Sequence, residues 1–163
     1  MDKTKYYIAY GSNLSVEQMR LRCPDARIAG QTVLEGWELL FRGCATIEPN
    51  KEKNTPVLVW KISEEDEKRL DVYEGYPHYY RKEDLMVEVV SEGAEPKTVT
   101  AMVYIMNDGY GHGGPSLYYY RVLYEGYKAF HFPMHVLEGA LKKCIGKEAA
   151  ARMIKEVQHN VSK

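Results

Sequence analysis

The first apolar run of the chain is short, residues 6–10, and it stops at Gly11-Ser12-Asn13. That pattern predicts a buried strand ending in a tight turn. Ser15-Val16-Glu17-Gln18 then has the form of a capping box, serine followed three residues later by glutamine, and it opens a helix that Pro24 ends. Two strands are expected next, over residues 26–33 and 37–41, broken by Gly30 and Gly36. "CATIEPNKEKN", from Cys44, reads as a strand fragment running into a polar loop. "PVLVWKI", from Pro56, is almost continuously apolar and predicts a strand buried on both faces. Ser63 caps a helix with an acidic first turn, closed by Gly75 as a left-handed residue. "LMVEVV" and "TVTAMVYIM" predict a hairpin across "SEGAEP"; "NDGYGHGGP" is a loop, and Ser116 caps a helix reaching about Phe130. Two more helices fit residues 134–143 and 147–159. Strands crowd the first two-thirds and helices the end, so an α+β fold is expected, a curled sheet or small mixed β-barrel flanked by helices. No repeat or linker divides the chain, and one domain over residues 1–163 is expected.

Composition narrows the function classes. A chain of 163 residues buries roughly 68–70% of its unfolded surface and needs no disulfide or metal to hold a core. Lysine and arginine number 22, aspartate and glutamate 23, for a net charge of −1. That balance leaves no electrostatic footprint for nucleic acid and no basic patch for a membrane. Three widely spaced cysteines, Cys23, Cys44 and Cys144, read as free thiols in a reducing compartment. The apolar start is too short for a signal peptide or a spanning helix, so a cytoplasmic protein is expected. Tyrosine outnumbers phenylalanine, 14 to 3, which suits a partly wet interior or pocket.

Glu74, in "LDVYEGYPHYY", breaks a local rule. It stands in the last turn of a short helix, where the macrodipole disfavours a carboxylate, and four residues after Leu70, which should face the core. Tyr76, Pro77, Tyr79 and Tyr80 follow. Desolvation and the helix end both act to raise its pKa toward the range useful for proton transfer. A solvated glutamate before a helix-ending glycine fits the same local pattern. Gly109, Gly111 and Gly114 match G-x-G-x-x-G, but the chain continues into helices instead of a parallel return, so a lid over a pocket fits better than a dinucleotide site. His131 and His135 are four apart with Pro133 between them, which places His131 outside the helix and argues against a metal pair.

Four segments together resemble the gamma-glutamylcyclotransferase-like proteins: "YGSNL" at Tyr10–Leu14, "ATI" at Ala45–Ile47, "LDVYEGYPHYYR" from Leu70, and "PSLYYYRVLYEG" from Pro115. The resemblance implies a small mixed β-barrel flanked by helices and release of 5-oxoproline from a gamma-glutamyl compound. By the same carry-over Glu74 is the catalytic acid/base. Tyr7, Ile8, Ala9, Tyr10, Gly11 and Ser12 bind substrate, Asn13 supports the turn, and Tyr80 and Tyr119 line the pocket.

The implied reaction needs little machinery. The substrate's own α-amine attacks its own γ-carbonyl, and holding such groups together contributes about 7–11 kcal/mol. One carboxylate can take the proton from the amine and return it to the leaving group. Backbone N–H groups at Gly11, Ser12 and Asn13 offer a place for a carboxylate or a developing oxyanion. No metal, nucleotide or prosthetic group is required, and the expected partner is a small gamma-glutamyl molecule. The tyrosine-rich helix after Ser116 can bury a homodimer surface as easily as a core. A non-catalytic module holding a small anion or peptide in the same pocket, or a phosphate-binding protein built on Gly109–Gly114, fits parts of the pattern.

Overall fold

The computed structural model describes residues 3–161. Five strands form one sheet: β1 (Thr4–Ala9), β2 (Arg27–Arg42), β3 (Cys44–Ser63), β4 (Tyr80–Val89) and β5 (Lys97–Met106), in the order β2-β3-β1-β5-β4. β1 lies in the middle, antiparallel to β3 and parallel to β5. The outer strands β2 and β4 meet through one bridge, in which Gln31 and Val90 exchange two backbone hydrogen bonds of 2.8 and 2.9 Å. The sheet therefore curls round into a barrel, the expected mixed α+β architecture. Gly30 makes the closure possible, because a Cβ there would lie 2.4 Å from the Val90 carbonyl oxygen.

Two expectations are corrected. Residues 26–33 and 37–41 are not separate strands but parts of the single strand β2. Its register against β3 shifts between Ile28 and Gly30 and between Glu35 and Trp37, so the glycines produce bulges instead of ends. The polar stretch after Cys44 is not a loop either. It continues β3 through an exposed arm, with Glu35 opposite Asn54 and Trp37 opposite Pro49. Both faces of that arm meet water, so no alternation marks it as a strand. Thr55–Trp60 is fully buried, as the apolar run requires.

The helices are α1 (Val16–Arg22), α2 (Glu64–Glu74), α3 (Leu117–Ala129), α4 (Met134–Ile145) and α5 (Lys147–Val161), with a 3-10 turn at Ser12–Leu14. Ser15 caps α1 by accepting from Gln18 N–H, and Cys23-Pro24 ends it. Ser63 and Asp66 form a full capping box on α2, and Gly75 closes that helix at φ 67° and ψ 34°, a left-handed conformation that glycine adopts freely. α3 presses on the 3-10 turn so closely that a Cβ on Gly126 would lie 2.7 Å from Leu14 Cβ. α4 packs on β2, and α5 on α4 and α3. Among the described residues no helix is long and apolar enough to cross a membrane.

Candidate active site

β1 ends at Ala9 and the chain turns at once into Ser12–Leu14, so its last residues sit at one end of the barrel beside the C-terminus of α2. Between them lies a cavity of about 370 Å³, lined by Tyr7, Ile8, Tyr10 and the Gly11–Asn13 turn on one side. Cys44, Ala45 and residues 72–75 add to it, with tyrosines 79, 80, 104 and 119 completing the wall. Nine of the ten residues singled out from the sequence share this cavity. Ala9 does not line it; it is 1% exposed.

The turn is held from inside. Asn13 is 2% exposed, its amide donates to Tyr7 Oη at 2.8 Å, and its Oδ1 accepts from Arg22. Trp60 Nε1 donates to the Asn13 carbonyl at 3.0 Å. The side chain of Asn13 is thereby occupied within the protein. Ser12 Oγ lies 2.9 Å from Tyr73 Oη, and the Arg22 guanidinium stacks 3.5 Å from the centre of the Tyr73 ring. The first N–H groups of a 3-10 turn have no acceptor inside it, so the turn offers donors to the cavity. Gly11 keeps that approach open, since a Cβ there would crowd Tyr119 Oη at 3.1 Å.

Two tyrosines pin the backbone of one residue on both sides. Tyr80 Oη donates to the Ala45 carbonyl at 2.8 Å, and Ala45 N–H donates to Tyr119 Oη at 3.0 Å. Tyr10 Oη donates to the Tyr104 carbonyl, and Tyr104 Oη donates to Asp71 at 2.6 Å. The loop around Gly111 backs the same wall. A Cβ on Gly111 would lie 2.8 Å from Tyr79 Oη, and Tyr110 packs edge-on against the Tyr79 ring.

Glu74 is half-buried at the cavity wall. Burial pushes its carboxyl from the ordinary value up to about 7, against the opposing pull of the Arg22 guanidinium. No hydrogen bond to the carboxylate contributes. Burial, and to a lesser extent the Glu74 charge, push the hydroxyls of Tyr7, Tyr10, Tyr80 and Tyr119 upward, so they remain protonated donors. Among the described residues no group of three or more His, Cys, Asp or Glu converges as a metal site.

A family model described as gamma-glutamyl cyclotransferase, AIG2-like, matches residues 7–134. The chain belongs to that family. Human gamma-glutamylcyclotransferase is 27% identical over 169 residues, spanning 96% of this chain and 87% of the human protein. The cattle protein of the same name is 30% identical over 140 residues, 78% of this chain and 72% of the relative. A solved gamma-glutamyl cyclotransferase structure superposes with a TM-score of 0.72 at 25% identity, covering 94% of this chain and 99% of that one. The chain is an enzyme of the gamma-glutamyl cyclotransferase family, and the matched span holds every residue that lines the cavity.

Arg22, Cys44, Tyr73 and Tyr104 join this site without having been expected there from the sequence, whereas Tyr79 belongs to the aromatic segment expected around Glu74. The tyrosine excess was the available signal. It gives a number and not positions; Tyr104 reaches the cavity only because β5 pairs with β1, a non-local contact.

Proposed function

We propose that this protein cyclises a gamma-glutamyl compound to 5-oxoproline and a free amine, with Glu74 as its single acid/base. The carrying observation is a half-buried carboxyl, raised to about 7, at the wall of a cavity that the Gly11–Asn13 turn also lines. A cavity of about 370 Å³ falls at the lower end of the usual ~300–1,000 Å³ for small-molecule sites.

The chemistry follows from the groups present. Ionised Glu74 takes a proton from the substrate's α-ammonium. The freed amine attacks the γ-carbonyl, forming the ring C–N bond and placing negative charge on the carbonyl oxygen. N–H groups of the Gly11–Asn13 turn are placed to receive either that oxygen or the substrate's α-carboxylate. The C–N bond to the leaving amine then breaks as Glu74 returns the proton to it and the carbonyl re-forms. The ring nitrogen gives up its second proton through Glu74 to water, leaving the neutral lactam. Tyr80 and Tyr119 hold the Ala45 peptide and so keep the cavity wall fixed. The protein supplies proximity and one proton carrier.

The test is mass-spectrometric detection of 5-oxoproline from gamma-glutamyl amino acids, gamma-glutamylamines and glutathione, each incubated with wild type and Glu74→Gln. General acid–base catalysis typically contributes ~10²–10⁴-fold, and Glu74→Gln should lose turnover by that order. Turnover unchanged in Glu74→Gln would remove Glu74 from the mechanism. A panel whose members bind but yield no product would favour a pocket that only binds.

A further inference from the structure

The barrel is closed by a single pair. Gln31 and Val90 exchange both their backbone hydrogen bonds, and no further ladder joins β2 to β4. In an antiparallel register the next pairs would be Val33 with Glu88 and Glu35 with Met86. On β2, residues two apart point their backbone groups the same way, so Val33 shares the direction of Gln31, away from β3. Its neighbour on β3 is Pro56, which has no N–H to offer. Glu88 and Met86 share the direction of Val90, away from β5. Two strand edges with unused donors and acceptors thus diverge beside the bridge.

The space between them is a groove of about 1110 Å³. Its outward side chains are apolar where a monomer usually places charge: Val33 is 53% exposed, Met86 73% and Val90 51%. Glu35, Glu88 and Glu92 line it, and among the described residues no lysine or arginine does. Among the described residues none of the three glutamates has an ion-pair partner. Open sheet edges are normally blunted by lysine, proline or a covering element. This one carries acidic residues and bare apolar ones.

We infer that the β2/β4 seam is a docking site for an extended, basic segment of another polypeptide, which adds as a strand between Val33–Glu35 and Met86–Glu88. Free backbone groups on both sides select a strand over a helix, because only extended backbone satisfies two facing edges. The three glutamates select lysine or arginine at alternate positions, whose aliphatic stems cross Val33 and Met86 on the same outward face. The residues between them turn inward toward Leu34 and Val87 and are apolar. This site is separate from the cavity beside Glu74 and does not depend on the chemistry proposed there.

The test uses the full chain and a pool of peptides of about six residues, the usual strand length, alternating lysine or arginine with valine, isoleucine, tyrosine or phenylalanine. Trp37 lines the groove, and the other of the two tryptophans, Trp60, is buried. Binding should therefore change Trp37 fluorescence saturably, and Trp37→Phe should remove the signal while calorimetry still detects binding. Glu35→Lys with Glu88→Lys, both exposed positions, should weaken binding by about tenfold or more. Peptides of equal charge with proline at every second position should not bind, because they lack the donors a strand edge needs. Equal binding of the proline peptides, or of glutamate-for-lysine peptides, would overturn the proposal, as would no binding by any member of the pool. A concentration-dependent dimer that Met86→Asp dissociates would also overturn it, assigning the groove to a second copy.

Discussion

Glu74 ends α2 with its carboxyl held up by burial and pulled down by Arg22, and each influence has a separate readout. In the free enzyme kcat/KM should rise with pH through about 7 as the base form appears. Arg22→Met removes the charge that favours the anion, so the rise should move to higher pH, whereas Arg22→Lys should stay near wild type. A pH profile of the two variants decides this; identical midpoints would show that Arg22 acts only through Asn13 and Tyr73. Stability moves the other way. A carboxyl whose folded value lies above its unfolded one favours folding when protonated, and that contribution is lost as pH rises from 4.5 to about 7. Glu74→Gln should then unfold at a higher temperature than wild type at pH 8 and at about the same temperature at pH 4. The difference should be on the order of 3 kcal/mol at most.

At the scale of the element, the closure of β2 on β4 rests on one glycine. A Cβ on Gly30 would meet the Val90 carbonyl at 2.4 Å and Val89 Cγ1 at 2.7 Å, neither of which is a flexible side-chain end. Gly30→Ala should cost about 1–3 kcal/mol, the usual penalty of forced overpacking, measured by urea unfolding. An unchanged midpoint would show that the Gln31–Val90 pair is dispensable. The same glycine explains why the strands were only partly legible. Hydrophobic pattern reports burial, and Pro56–Ile62, Leu85–Val90 and the three C-terminal helices were legible because each buries an apolar set. Gly30 and Gly36 look like stops in such a pattern, yet a bulge keeps the strand going. Lys51–Asn54 has no buried face to report, although it lies within β3 and is flanked by the pairs Asn54–Glu35 and Pro49–Trp37. Hydrogen bonding between two exposed strands leaves no trace in hydropathy.

Across the whole molecule, the question is how α2 is held so that its last residue faces the cavity. Glu67, Asp71 and Glu74 recur at helical spacing, and the first two are anchored to three different strands. Lys5 on β1 and Lys82 on β4 reach Glu67 at 2.9 and 2.8 Å, Lys82 also reaches Asp71 at 2.8 Å, and Tyr104 on β5 donates to Asp71 at 2.6 Å. Glu74, one turn further, is left outside the network, which is why its carboxyl remains available. In the sequence Glu74 was conspicuous because it stands alone at a helix end; its anchors were invisible because the strands carrying them lie far apart in the chain. Tyr104→Phe removes one hydrogen bond to a charged group, a change that typically costs about 1.5–3 kcal/mol. It should also lower kcat, while leaving the pH at which kcat/KM rises unchanged, because Tyr104 holds the helix and does not touch the charge on Glu74. Lys143→Met breaks a longer pair, 3.0 Å to Glu38, between α4 and β2 with the lysine exposed. That variant should lose no more than about 1 kcal/mol and keep wild-type turnover. Equal losses of turnover in the two variants would mean that global stability, and not the seating of α2, sets the rate.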